Sequence, residues 1–423
     1  MSVELRSCRQ RNAMSLAAAI ALAIGLTGPS PSSARPTQWV GTWMASPQPI
    51  WGKEFAFPTK IPEVMEDQTI RQVVRVSLGG SRVRLVFSNA YGDRPLRIGS
   101  ASVALAGEKG AVPAGAICRL TFDGGKSSID VPPGAPAISD PIDLDVAAQA
   151  RLAVSLYLPE RTPLTTFHWD GRQTAWIGKG DLTQASSIPT NSTTDARIIL
   201  SEVLVDTPNK GAIVVLGDSV TDGNGATVDQ DARWPDFLAR RLAQRNVAVL
   251  NAGISGARLL KDKMGVNAAA RFDRDVLAQP GLKAVIVLIG INDIAWPGTA
   301  FAKADTRPSL AALTASYRQL AARAHARNVR IIGATLTPFE GALSGTPLAD
   351  YYAPEKDALR RDVNRWIRSS GAFDAVIDFD ALLRDPRNPA RMTPAFDSGD
   401  HLHPGDRGNR AMAEAVDLKM LGR

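Results

Sequence analysis

The chain of 423 residues is 44% apolar and 22% charged, with a formal net charge of +7. These values exclude a disordered or fibrous polypeptide, and the length suits two globular domains of about 100–200 residues each. Basic residues are scattered, with no lysine-rich tract and no interleaving with aromatics, so nucleic acid is not an expected partner.

Residues 1–34 read as an export signal. Arg6, Arg9 and Arg11 form a basic start, Leu16 to Leu26 is apolar, and Pro29 and Pro31 end the run. Ser32-Ser33-Ala34 then offers the small side chains of a cleavage site. The apolar run is shorter than the ~20 residues a membrane span needs. The expectation is a secreted or periplasmic protein without stable membrane insertion. Cys8 falls within the signal, which leaves Cys118 and no intramolecular disulfide. Cys118 sits in Ala116-Ile117-Cys118-Arg119-Leu120 and reads as a small buried hydrophobe, not a catalytic thiol.

Residues 39–205 read as strands. Val73–Leu78 and Arg82–Phe87 alternate around Gly79-Gly80, which suggests a hairpin. Ser102–Leu105, Ala116–Phe122 and Arg151–Leu158 are further strand-like runs, separated by turns such as Asp123-Gly124-Gly125. No long stretch has helical period. The expected fold is an antiparallel, jelly-roll-like β-sandwich.

Around Pro208-Asn209-Lys210-Gly211 the pattern changes, and a second domain is expected over 211–423. Short apolar runs at Ala212–Leu216, Val247–Leu250, Ala284–Ile289, Arg330–Thr335 and Ala375–Phe379 alternate with helical segments. The clearest helix spans Ser309 to Arg327, with Leu310, Leu313, Tyr317, Leu320, Ala321 and Ala324 on one face and Ser309 as N-cap. Such apolar strands imply a parallel sheet covered on both faces.

Three strand ends carry candidate chemistry. Gly217-Asp218-Ser219-Val220 follows the first strand, Asn251-Ala252-Gly253-Ile254-Ser255-Gly256 the second and Gly290-Ile291-Asn292-Asp293 the third. In parallel sheets these ends open on one edge, where α/β proteins place their sites. Ser219 taken alone would serve equally well as a helix cap. Backbone N–H groups at a glycine, together with a side-chain amide, are suitable donors for an oxyanion. A base must come from four histidines. In Asp400-His401-Leu402-His403-Pro404 an acid and a histidine three apart can converge, which favours His403 over His401. His325, late in its helix, and His168, in the β half, read as local structure.

The strings GDSV, NAGISG, GIND and DHLHP resemble the blocks of the SGNH (GDSL) hydrolases, in the right order and after the right elements. The resemblance covers 211–423; Trp234-Pro235 also fits it, and Val220 stands where leucine is usual. It implies a flavodoxin-like three-layer α/β/α fold and a serine esterase. It implies Ser219 as nucleophile, Asp400 and His403 as its catalytic partners, and an oxyanion hole from the Ser219 and Gly256 N–H groups and the Asn292 side chain. The N-terminal half, with Trp39-Val40-Gly41-Thr42-Trp43 and Phe87-Ser88-Asn89-Ala90-Tyr91-Gly92, is similar to the β domain of some secreted bacterial members. No cofactor or metal is expected, since no Cys/His ligand spacing occurs.

The expected substrate is a carboxylic ester, with acylated and particularly acetylated carbohydrates favoured by export and the β-sandwich companion. A lysophospholipase or short-chain lipase is the alternative enzyme. A glycan-binding protein with an inactive hydrolase domain is the non-catalytic alternative, and an acyltransferase would use the same residues. Trp296, Phe339 and Tyr352, on loops after the third and fourth strands, are expected to shape the substrate pocket, with His168-Trp169 of the β half closing over them.

Overall fold

The computed structural model describes residues 38–189, 191–208 and 211–422. The export segment 1–34 with Cys8, and Asn209-Lys210 of the expected join, lie outside the described residues.

The principal N-terminal strands are β1 (Trp39–Met44), β2 (Gln68–Arg75), β3 (Gly80–Ser88), β4 (Ser100–Leu105), β5 (Arg151–Leu158), β6 (Ala175–Lys179) and β7 (Leu200–Asp206). They form two antiparallel sheets. One runs β1-β7-β3 and continues into Pro136–Ile138, with Ile142–Val146 also paired to β3. The other runs Thr193–Thr194, β6, β2, β5, β4, Cys118–Arg119. On β3 every second residue, Val83, Leu85 and Phe87, is buried, as a strand with one core face requires. These side chains share one apolar core with Ile70, Val74, Val154 and Leu156 of the other sheet.

The hairpin expected around Gly79-Gly80 does not form: its two strands lie in different sheets. Six successive residues inside β2 are buried, which marks it as a central strand. Both its edges are taken, by β5 and β6, so no edge is left for β3. The strand expected over Ala116–Phe122 contracts to Cys118–Arg119.

The C-terminal half builds a parallel sheet from β8 (Ala212–Gly217), β9 (Ala248–Gly253), β10 (Leu282–Leu288), β11 (Arg330–Ala334) and β12 (Ala375–Ile377). Its order is β9-β8-β10-β11-β12. Every residue of β8 is buried, as expected for a strand with both faces covered. The major helices are α1 (Trp234–Ala243), α2 (Leu310–His325), α3 (Pro354–Ser369) and α4 (Asp406–Ala415). α1 packs on α4, and α2 on α3. In α2 the Ser309 hydroxyl accepts the Ala312 N–H at 3.2 Å, and Leu313, Tyr317, Leu320, Ala321 and Ala324 are buried. Among the described residues no helix is long and apolar enough to cross a membrane.

The sheet order reverses direction at β8, whose neighbours β9 and β10 diverge on either side. Connections from such a switch point leave in opposite directions and open a crevice at the carboxyl ends of the strands. The edge strand β9 packs beside β1, and the Val249 N–H donates to the Ser77 hydroxyl at 3.1 Å. The β half therefore shields an edge that would otherwise expose unpaired backbone groups.

Candidate active site

β8 ends at Gly217 and the chain turns at once into the four-residue helical turn Ser219–Asp222. The Asp218 carboxylate caps that turn by accepting the Val220 N–H at 3.1 Å. Burial pushes the Asp218 carboxyl up to about 7, against the pull of the Val220 N–H. The turn lies tight against the end of β9. Asn251 Nδ2 donates to the Thr221 carbonyl at 2.9 Å, and a Cβ on Gly253 would stand 2.4 Å from the Asp222 nitrogen. Only glycine permits this approach. Ser219 is thus fixed at the crevice with 7% of its surface exposed.

Against it stands the loop 397–405. His403 Nε2 lies 2.8 Å from Ser219 Oγ, and His403 Nδ1 lies 2.5 Å from Asp400 Oδ2. The other Asp400 oxygen accepts the N–H groups of Leu402 and His403 at 3.0 and 2.8 Å and the Ser398 hydroxyl at 3.1 Å. Burial alone would raise the Asp400 carboxyl. The bond from the His403 ring, the ring's charge and the two backbone donors outweigh it and hold Asp400 well below the usual carboxylate range. An ionised carboxylate on Nδ1 directs Nε2 toward the serine as acceptor, the arrangement that removes a proton from Oγ. His401 turns away, onto Asp397 Oδ2 at 2.6 Å, and His325 pairs with Asp374 at 3.1 Å on the surface.

Asn292, 3% exposed, opens the short helix Ile291–Ala295 after β10. Its amide is pinned from both ends: Nδ2 donates to the Ala257 carbonyl at 2.9 Å and Oδ1 accepts the Tyr351 hydroxyl at 2.7 Å. That orientation assigns one amide hydrogen to Ala257 and leaves the second for a ligand oxygen. The neighbouring Asp293 accepts the N–H groups of Leu259 and Leu260 at 2.6 and 2.9 Å, so one helical turn also holds the segment that follows Gly256. Burial lifts the Asp293 carboxyl to about 6 in spite of these donors. Gly256 has φ +74°, and a Cβ there would fall 2.3 Å from Met264 Sδ and 2.9 Å from Trp296 Cζ2. A side chain is excluded on both counts.

Comparison with known proteins bears on this arrangement. Residues 213–416 match the model of the GDSL-like lipase/acylhydrolase family. The α/β half is a GDSL hydrolase domain. Solved structures similar to it include a lipolytic protein of the G-D-S-L family from Desulfitobacterium hafniense, at 21% identity over 48% of this chain and 97% of that one, with a TM-score of 0.36. A GDSL-like lipase from Bacteroides thetaiotaomicron is 16% identical over 50% of this chain and 88% of its own, also at 0.36. An acetyl xylan esterase from Geobacillus stearothermophilus is 21% identical over 51% of this chain and 95% of its own, again at 0.36. No curated protein matches the chain.

Within the GDSL domain the three expected pocket residues have different surroundings. Trp296 is 2% exposed and packs on Phe301 at 4.9 Å, under the Arg258 guanidinium and behind Gly256. Phe339 is fully buried. Both therefore belong to the packing behind the site and not to an open wall, because the chain after each helix or strand end turns them inward onto other rings. Tyr352 is half-buried, edge-on to Phe339 at 5.3 Å. Phe167 and Trp169 of the β half enter the same aromatic cluster as Trp296, Phe301 and Phe339.

Three residues that hold the site escaped the reading of the sequence. Tyr351 is next to the tyrosine singled out, and nothing in the local pattern says which of the two turns inward. Asp293 stands beside Asn292 in the same motif, which was its available signal. His168, read as local structure and, with Trp169, as a loop closing over the pocket, is instead buried with it and reaches across to Asp222 of the GDSL domain with Nε2 2.9 Å from Oδ1, a partner that nothing in the sequence indicated.

Proposed function

We propose that the chain hydrolyses carboxylic esters outside the cytoplasm, using Ser219, His403 and Asp400, and that acylated carbohydrates, acetyl esters foremost, are its substrates. One observation carries the reaction: the continuous hydrogen-bonded path from Ser219 Oγ through both nitrogens of His403 to Asp400.

His403 Nε2 takes the proton of Ser219 as Oγ attacks the ester carbonyl carbon. The carbonyl π electrons move to oxygen, and this oxyanion is held by the N–H groups of Ser219 and Gly256 and the Asn292 amide. Collapse expels the alcohol, which receives its proton from His403. Water gives a proton to His403 as it attacks the acyl carbonyl; the bond to Ser219 Oγ then breaks, Oγ takes that proton back from His403, and the carboxylic acid leaves. Asp400 stays ionised throughout and holds the imidazolium.

Support for a carbohydrate comes from the export signal expected at residues 1–34 and from the companion β half, whose aromatic side chains join the cluster behind the site. Its two antiparallel sheets with a common core also favour the jelly-roll-like sandwich reading. The test is a panel of p-nitrophenyl esters from acetyl to palmitoyl beside acetylated polysaccharides. Preference for acetyl and release of acetate from the polymer are expected. A maximum at palmitoyl would replace this with a lipase. Ser219→Ala should abolish turnover, with a fall of roughly 10⁶ as for other serine nucleophiles; near-normal activity would end the assignment.

A further inference from the structure

Directly behind Ser219 a buried polar chain crosses from the β half into the GDSL domain. His168, on the short strand Thr166–His168, is 4% exposed. Its Nδ1 lies 3.1 Å from the Ser46 carbonyl, which can only accept, so Nδ1 carries a hydrogen. Its Nε2 lies 2.9 Å from Asp222 Oδ1. The second oxygen of Asp222 accepts the Ser255 N–H at 2.7 Å and the Ser255 hydroxyl at 2.8 Å. Asp222 Oδ1, with its partner oxygen already taken by two donors, is placed to accept from Nε2; with both nitrogens donating, the ring is an imidazolium. Burial opposes that charge, but the charge and hydrogen bond of Asp222, the Ser46 carbonyl and the charge of Asp170 together raise the His168 pKa above its ordinary value. The surrounding charges include Asp170, whose Oδ2 is 3.4 Å from Ser255 Oγ and whose Oδ1 faces Arg172 at 3.6 Å, Arg271, which donates to Ser46 Oγ at 3.3 Å, and the buried Arg233, which is also drawn to Asp222.

Asp222 and Ser255 each lie in the short backbone segments that carry the candidate site. Asp222 closes the turn that Ser219 opens. Ser255 immediately precedes Gly256, whose N–H is assigned to the oxyanion. We infer that His168 is a positioning residue supplied by the β half: through Asp222 it holds the Ser255–Gly256 peptide and the Ser219 turn in the geometry that receives the oxyanion. The inference rests on the ester hydrolysis proposed above. It gives the β half a part in shaping the site, since the GDSL domain without it would leave Asp222 Oδ1 without its hydrogen-bonded partner, with Arg233 as the remaining nearby cation. A buried ion pair with a merely structural role could be lost at a cost to stability alone. Displacement of an oxyanion donor instead lowers kcat without weakening substrate binding.

The experiment compares the full chain with His168→Gln, Asp222→Asn, the double variant and Ser219→Ala. It measures kcat and KM for p-nitrophenyl acetate, Ki for a boronic acid that forms a tetrahedral adduct on the serine, and melting temperature. His168→Gln should lower kcat about 10- to 100-fold with KM changed less than roughly twofold, and should weaken boronate binding by the same factor. Asp222→Asn should behave alike, and the double variant no worse than the more damaging single one. A lowered melting temperature with unchanged kcat and boronate Ki, or additive losses in the double variant, would overturn the inference. Should His168→Gln not fold, Ser255→Ala supplies the same reading: kcat reduced about tenfold supports it and unchanged kcat refutes it. Full turnover by Ser219→Ala would instead defeat the ester-hydrolase reading, independently of what His168 does.

Discussion

Removing one oxygen atom, in Tyr351→Phe, probes whether the Asn292 amide is held for the oxyanion. The hydroxyl donates to Asn292 Oδ1 at 2.7 Å, and both residues are almost fully buried. Its loss deletes one hydrogen bond and leaves Oδ1 unpaired out of water, which costs about 1–3 kcal/mol. In a domain of this size each kcal/mol lowers the melting temperature by roughly 2–4 °C, so a fall of about 5 °C is expected. The kinetic effect has a separate origin. Without Tyr351 the amide is restrained only through Ala257, and its rotation would point Oδ1, an acceptor, at the developing negative charge. Complete loss of such a donor costs about 10²–10³ in kcat; partial loss of alignment should cost about tenfold, equal to about 1.4 kcal/mol. KM should hardly move, because the ground-state carbonyl carries little charge. The assay is steady-state hydrolysis of p-nitrophenyl acetate by wild type, Tyr351→Phe, Asn292→Ala and the double variant. If Tyr351 acts through Asn292, the double variant matches Asn292→Ala. A stability loss with unaltered kcat, or fully additive kinetic losses, would refute the reasoning.

His403→Ala should reduce kcat as severely as Ser219→Ala, whereas His401→Ala should be mild, since its ring is engaged by Asp397; the reverse order in the same assay would displace His403 as the base. Trp296→Ala opens a cavity behind Gly256 and should destabilise by about 3–5 kcal/mol while lowering kcat/KM for every ester; a changed ranking of acyl chains at unchanged melting temperature would put Trp296 in contact with substrate. Asp218→Asn concerns pH. Folding raises the Asp218 carboxyl to about 7, so the folded state binds its proton more tightly and wild type loses stability as pH rises from about 4 toward 7. The variant, which can still accept from Val220, should gain in melting temperature relative to wild type between pH 5 and pH 8; a constant difference would contradict the assigned shift.

Much of the site could be read from the chain because it is built from local pieces. An apolar run followed by Gly217-Asp218-Ser219 dictates a strand end and a sharp turn wherever the rest of the fold lies. Asp400 and His403 meet within one short loop, where a spacing of three residues brings carboxylate and imidazole together. The order of apolar strands and amphipathic helices likewise implied a covered parallel sheet, and hence a shared edge for Ser219, Gly256 and Asn292. Side-chain periodicity, however, records which face of an element is apolar and not what covers it. It therefore placed β2 and β3 in one hairpin, although β2 needed partners at both edges and took them from β5 and β6. The same blindness to partners left Tyr351 undistinguished from Tyr352 and put Trp296 on an open wall instead of beneath Gly256. It also hid His168, whose partner Asp222 is 54 residues away in the other half of the molecule. The sequence alone thus determined the candidate groups, which depend on backbone geometry over a few residues. Tertiary structure decided what holds them, because a buried hydrogen bond or ion pair between distant segments exists only once packing has brought its two ends together and excluded water from between them.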